Sequence, residues 1–274
     1  MKAAVLKEYG TLPVYEDYPE PLTHNLNEKL VTPLASSIKR LDIGKAAGTH
    51  YTKFDKLPAV MGMDGIAETD DGSKVYALGI TGMMAEKAVV DRRSMIKIPA
   101  GLSNAMAAAM PNVLMGSDLA LTVRGKIQKG DVVLIDGATG ATGTMAVQAA
   151  KLRGASWVIA TGRNQRMLNK LATIGADVTI SLKQSDSEII KQIRQAYKDN
   201  PFTIIADYLW GHPAELIFKA IHGVSLEKPV KYLTIGQMAG ASIQLSSGIL
   251  RSQDIFLYGS GDWQLWAKHI SPLS

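Results

Sequence analysis

Hydrophobic and polar positions along the chain change rhythm near residue 125. Before that point, short apolar runs alternate with polar residues at the two-residue period of half-buried strands. KAAVLK near the start, LNEKLVTPLASS, the two arms of GIAETDDGSKVYALG around an Asp71-Gly72 turn, and two more strands within AEKAVVDRRSMIKIP all read this way. Residues 38–47 and 103–124 carry a helical pattern, the second interrupted by Pro111. From Gly130 the runs become continuous: VVLI (132–135), WVIAT (157–161), VTIS, FTIIADYL, VKYLTIG and DIFLYGS. Strands apolar on both sides are strands covered on both faces by helices. Helical stretches separate these runs, with Gly154 and Gly175 as stops and His212-Pro213 opening another. About six strands alternating with helices predict an α/β protein with a doubly wound parallel sheet. The expected division is a β-rich first domain, 1–122, closely followed by the parallel-sheet domain, 123–274, with a cleft between them.

Composition narrows the function classes. With 274 residues, 46% of them hydrophobic, the chain can bury a sizeable core. No apolar run reads as long enough to span a bilayer, and MKAAVLKEYGTLPVYEDYPE lacks the apolar centre of a secretory signal, so a soluble cytoplasmic protein is expected. The absence of cysteine excludes disulfides, thiolate nucleophiles and cysteine-based zinc sites. The five histidines, His24, His50, His212, His222 and His269, include no pair at the i, i+4 spacing of a helical metal site, so no metal is expected. The net charge of +5 is dispersed among acids, which argues against a nucleic-acid surface.

The stretch DVVLIDGATGATG places Gly137–Gly143 between a buried strand and a helix, where a dinucleotide loop belongs. In the register Ala138-x-Gly140-x-x-Gly143, Gly140 lets backbone approach a pyrophosphate and Gly143 lets the helix pack on the strand. Thr139, Ala141 and Thr142 complete the loop, and the helix start offers N–H groups and a positive dipole end. An NAD site usually has an acid after the next strand to hold the ribose 2′-hydroxyl. Here that strand ends Gly162-Arg163-Asn164-Gln165-Arg166 with no acid. The planar guanidinium of Arg163 suits a 2′-phosphate, with Arg166 as a second partner, so NADPH is the expected cofactor.

These stretches, with MKAAVLKEYG, LPAVMGMDGIAE, MAEKAVVDRRSMIKIPAGLSNAMAAAMP and LRSQDIFLYGSG, resemble the medium-chain dehydrogenase/reductases of the zinc-free quinone oxidoreductase type, the group that includes zeta-crystallin. The resemblance runs through nearly the whole chain. It implies a GroES-like β-rich domain followed by a Rossmann domain, which accounts for a glycine loop so far into the chain. In zinc relatives, the metal ligands align with Lys39, Met63 and Asn112 here, none of which supplies a thiolate or imidazole. Without a Lewis acid, hydride transfer to a conjugated acceptor such as a quinone or enone is favoured, because the developing charge is delocalised. The resemblance also implies a homodimer joined through the sixth parallel strand, residues 255–259. It further implies a closing helix and strand returning to the first domain, which the ending HISPLS falls short of.

The proton-supplying group is open at this level. Tyr51, His50, Lys39 and Asp64 are the candidates, with an ion pair between Asp64 and Lys39 or Arg40 the structural alternative to catalysis. Ligands bind at the carboxyl ends of parallel strands, which places Leu209, Gly236 and Gln237 near ribose or nicotinamide. A non-catalytic NADPH-binding sensor or structural protein is the second reading.

Overall fold

The computed structural model of the protein describes residues 1–50 and 52–261. The chain divides into two compact units, Met1–Pro111 and a second that begins at Asn112.

The first unit runs β1 (Lys2–Leu6), β2 (Val14–Asp17), β3 (Glu28–Ala35), α1 (Arg40–Ala46), β4 (Ala59–Val60), β5 (Asp64–Glu68), β6 (Lys74–Leu78), β7 (Ala88–Asp91) and β8 (Ile96–Lys97). It holds a three-stranded sheet, β2-β1-β4, and a five-stranded antiparallel sheet, β7-β3-β5-β6-β8. The Asp71-Gly72 turn joins β5 to β6 as the pattern predicted, with Gly72 at φ 78°. The two strands within AEKAVVDRRSMIKIP do not pair with each other. A 3-10 turn at Arg92–Ser94 sends them to opposite edges of the five-stranded sheet.

Helix α2 (Asn104–Leu114) keeps Pro111 inside it, and a π-helix, Met115–Arg124, follows directly. Pro111 therefore does not interrupt the helix. The widened turn exposes carbonyls that side chains then cover: Ser117 Oγ donates to the Val113 carbonyl at 2.9 Å, and Thr122 Oγ1 to that of Asp118 at 2.7 Å. By length and composition alone, Asn104–Arg124 is apolar enough to cross a membrane, a criterion that core helices also meet.

The second unit alternates strictly: β9 (Val132–Asp136), α3 (Ala141–Leu152), β10 (Trp157–Gly162), α4 (Gln165–Thr173), β11 (Val178–Ser181), α5 (Asp186–Asp199), β12 (Ile204–Asp207), α6 (Gly211–Ile221), β13 (Val230–Thr234), α7 (Ser247–Ser252) and β14 (Ile255–Gly259). The six strands form one parallel sheet in the order β11-β10-β9-β12-β13-β14. Period-two alternation sorts its apolar residues onto two faces. Val133 and Ile135 pack with Ala146, Val147 and Leu168 from α3 and α4. Leu134, Ile159 and Ile205 pack with Ile193, Ile217 and Phe218 from α5 and α6. The continuous apolar runs in the sequence are these doubly covered strands. The chain winds one way from β9 to β11 and the other way from β12 to β14, so the β9–β12 junction is the topological switch point. β14 is an outer strand, and Phe256 and Leu257 on it are exposed.

Candidate functional site

The glycine loop lies at the carboxyl end of β9, at the switch point. Gly140 is the N-cap of α3, in ordinary extended geometry with φ −81°. It has no side chain to cover the first-turn N–H groups of the helix. A methyl built on Gly140 would meet nothing nearer than the Gly137 carbonyl oxygen at 3.6 Å, so the space above the loop is open. Gly143 is the opposite case. A methyl there would lie 2.4 Å from the Gly137 carbonyl oxygen and 2.7 Å from Ala138 Cα, so its lack of a side chain is what lets α3 pack on the loop. Ala138 is fully buried, and its N–H donates to the Thr161 carbonyl at 2.8 Å, which ties the loop to β10.

Of the cofactor residues expected from the sequence, Gly162 and Leu209 lie directly against this loop. Gly162 ends β10 against Thr139, whose Cγ2 would be 2.4 Å from any added methyl. Leu209, after β12, lies over Gly137, since a methyl on Gly137 would be 2.9 Å from Leu209 Cδ2. Gly236, after β13, abuts the Tyr208 carbonyl oxygen, which would be 2.5 Å from a methyl. Gln237 is exposed beside it, while Ala141 is exposed and Thr142 half-buried at the helix start. Arg163, Asn164 and Arg166 are exposed after β10. Asn164 has a structural job as N-cap of α4: its Oδ1 accepts from Met167 N–H at 3.2 Å. Arg163 and Arg166 form no ion pair among the described residues, which leaves two cations at the start of a helix that disfavours them. An open glycine cradle, bare helix N–H groups and two available guanidinium groups fit a dinucleotide phosphate.

Beneath the loop lies a feature that pattern reading missed. Asp136 and Asp207 are direct partners across parallel β9 and β12, and both are fully buried. Asp207 accepts from the N–H groups of Leu209 (2.7 Å) and Trp210 (2.9 Å) and from the Tyr232 hydroxyl (2.8 Å). Asp136 accepts from the Thr161 hydroxyl through one oxygen, and its Oδ2 has no donor among the described residues. Burial raises the pKa of both carboxyls, and the facing Asp207 charge pushes Asp136 well up.

The catalytic candidates lie in the first unit. Lys39 is the N-cap of α1 and is buried, with its ammonium on Asp64 Oδ1 and donating to the Ser37 carbonyl at 2.8 Å. Asp64 is 2% exposed, and Tyr76 donates its hydroxyl to Oδ2 at 2.6 Å. Burial raises the Asp64 pKa against the opposing pull of Lys39 and Tyr76. Asp42 Oδ2 accepts from Lys39 N–H at 2.9 Å, and Asp42 Oδ1 from Met63 N–H at 3.2 Å. Lys45, also buried, lies 3.4 Å from Met63 Sδ and 4.5 Å from the Phe54 ring centre, and burial lowers its pKa. His50 Nδ1 is engaged with Thr52 Oγ1 at 2.8 Å. Tyr51 lies outside the described residues.

Sequence reading missed Lys45 and Tyr76. Lys39, Asp42 and Lys45 recur every three residues, which puts them along one side of α1, and this spacing was the available signal.

The residues at the aligned zinc positions do not fit zinc. Lys39 brings an ammonium already paired with Asp64, Met63 a neutral thioether beside a second ammonium, and Asn112 a neutral amide. Among the described residues, no cluster of three or more His, Cys, Asp or Glu side chains is placed to hold a metal ion.

Comparison with known proteins agrees with this architecture. The family described as zinc-binding dehydrogenase matches residues 141–222. A quinone oxidoreductase-like protein 2 homolog of Nematostella vectensis is 28% identical over 98% of this chain and 74% of its own. The chloroplastic NADPH-dependent alkenal/one oxidoreductase of Arabidopsis thaliana is 25% identical over 69% of this chain. The crystal structure of the Thermus thermophilus quinone oxidoreductase, also solved with NADPH, superposes with a TM-score of 0.79 at 26% identity, covering 95% of this chain and 80% of that one. The chain spans 54% of the Arabidopsis protein and 10% of a polyketide synthase of Mycobacterium tuberculosis that it also matches.

Proposed function

Because this chain is a medium-chain dehydrogenase/reductase of the quinone oxidoreductase type, we propose that it is an oxidoreductase that binds NADPH and reduces quinones or related conjugated carbonyls without zinc. The observation that carries this reading is the open Gly140 cradle followed by Arg163 and Arg166, which form no ion pair among the described residues. NADPH, when bound, supplies the hydride. Loop residues 138–143, with Gly162, hold the pyrophosphate against the α3 N-terminus. Arg163 and Arg166 take the 2′-phosphate, and Leu209, Gly236 and Gln237 border the ribose and nicotinamide. A delocalised acceptor fits the unsuitable donors at the zinc positions, because its developing negative charge needs no Lewis acid. Lys39, Asp64, His50 and Tyr51 are the candidates for holding or supplying the proton. Lys39 and Asp64 are joined directly, with Tyr76 donating into the pair. A homodimer joined through Ile255–Gly259 is part of the same proposal, supported by the exposed Phe256 and Leu257 on an outer strand, and a monomeric mass in solution would remove it.

The deciding experiment follows NADPH oxidation with a panel of quinones and enones. Turnover supports the reading. Tight NADPH binding without turnover on any acceptor supports the sensor reading instead.

A further inference from the structure

Asp136 and Asp207 sit at the topological switch point, directly under the proposed cofactor loop. The hydrogen bonds around them form one chain. Gly137 N–H donates to Thr161 Oγ1 at 3.3 Å, and the Thr161 hydroxyl donates to Asp136 Oδ1. On the far side, Leu209 N–H, Trp210 N–H and the Tyr232 hydroxyl all donate to Asp207. Asp207 is thus supplied with three donors, as a carboxylate requires. Asp136 Oδ2 has none, although the Asp207 carboxyl is its hydrogen-bonding neighbour. Two adjacent buried carboxylates repel, and an orphaned buried oxygen is costly. One proton on Asp136 Oδ2, donated to Asp207, removes both problems and lets every group in the chain donate or accept in a consistent direction.

The chain ends on two segments. Gly137 opens the glycine loop. Leu209 and Trp210 follow β12, where Trp210 takes a positive φ of 54° that a bulky residue rarely adopts. Such a conformation persists when its surroundings over-determine it. Here Asp207 holds the Trp210 N–H, and the indole packs edge-on to Tyr232 at 6.1 Å.

We infer that Asp136 and Asp207 share a single proton at neutral pH, and that Asp136 is a positioning residue that fixes the glycine loop and the Leu209–Trp210 segment relative to one another. The second half rests on the NADPH-binding reading, and the first does not. Burial and the facing Asp207 charge keep the proton on Asp136 well above the usual carboxylate range. The titratable groups facing Asp136 are Asp207 from β12 and Tyr232 from β13, and β10 contributes only the neutral Thr161. Tyr232 is held protonated by burial and by both carboxyls, so it does not compete for the charge.

The test uses the full chain with Asp136→Asn, which keeps a donor toward Asp207 and an acceptor for Thr161, and Asp136→Leu, which keeps neither. Infrared difference spectra of wild type against Asp136→Asn at neutral pH should show a protonated carboxylic-acid carbonyl band lost in the variant. Absence of that band overturns the shared proton, whether or not the protein binds NADPH. NADPH titration by fluorescence should show Asp136→Leu weakened roughly tenfold or more and Asp136→Asn within about threefold of wild type. Wild-type affinity should also fall at alkaline pH as a second charge appears under the pyrophosphate, while the Asp136→Asn affinity stays flat. Equal affinity in all three proteins, or equal loss in both variants, overturns the positioning role. Should Asp136→Leu fail to fold, the Asp136→Asn spectrum and its flattened pH profile still decide. A wild type that binds no NADPH overturns the positioning half together with the cofactor reading, while the band still decides the proton.

Discussion

The hydroxyl of Tyr76 donates to Asp64 at 2.6 Å while the ammonium of Lys39 holds the other carboxylate oxygen, all three groups being buried. Two strands and a helix cap thus meet on one charge. Removing one member of a buried ion pair leaves the other uncompensated, which typically costs about 3–5 kcal/mol. The sign with pH follows from Asp64. Its raised pKa means the folded protein keeps a proton that the unfolded chain releases above its ordinary value, so stability from this group declines as pH rises between the two. Lys39 opposes that rise, so its loss is felt most where Asp64 is ionised. Urea unfolding of Lys39→Met should show a larger deficit at pH 8 than at pH 5. Equal deficits at both would mean Lys39 does not stabilise the charged form.

Gly140 and Gly143 make a paired test of the loop. An added methyl at Gly140 has open space and ordinary backbone geometry, so Gly140→Ala should change stability by no more than about 0.5 kcal/mol while abolishing detectable NADPH binding. At Gly143 the methyl strikes the Gly137 carbonyl and Ala138, and overpacking of this kind costs about 1–3 kcal/mol or more. Thermal unfolding beside NADPH titration separates the two. Full cofactor affinity in Gly140→Ala would remove the loop from the binding site.

Arg163→Ala tests cofactor choice. Hydrogen bonds to charged groups contribute about 1.5–3 kcal/mol, so the variant should lose roughly tenfold to a hundredfold in NADPH affinity. NADH affinity should not change, because NADH has no 2′-phosphate. Parallel losses for both cofactors would assign Arg163 to the pyrophosphate instead.

Chelation tests the metal prediction. Prolonged dialysis against a strong chelator should leave both NADPH oxidation and thermal stability unchanged, and elemental analysis should find no stoichiometric zinc. Activity lost on dialysis and restored by zinc would overturn a zinc-free mechanism.

Much of the second unit was legible in the sequence. Strands covered on both faces must be apolar throughout, so VVLI, WVIAT and IIAD stand out, and the helices between them have stops at Gly154 and Gly175. The loop's glycines were legible from their spacing between an apolar strand and a helix, and the structure shows that Gly143 has no room for a side chain. The first unit was read less fully. Its short strands were visible, but their partners were not, because β7 and β8 pair with strands distant in sequence and leave no local trace.

By itself, then, the sequence determined the doubly wound sheet, the glycine loop between its first strand and helix, and the basic residues that follow the next strand, because periodicity and glycine spacing are local properties. Only the tertiary structure decided which charges meet. Asp136 and Asp207 are 71 residues apart, and Lys39, Asp64 and Tyr76 come from separate elements. Asp136 and Asp207 each read in isolation as one more polar residue at the end of a strand, and Tyr76 as one more strand residue, while the sequence leaves the partner of Asp64 open between Lys39 and Arg40. Strand register and burial turn the first two into a carboxyl pair and the other three into a buried ionic cluster, because charge interactions become strong only when folding removes water from between them.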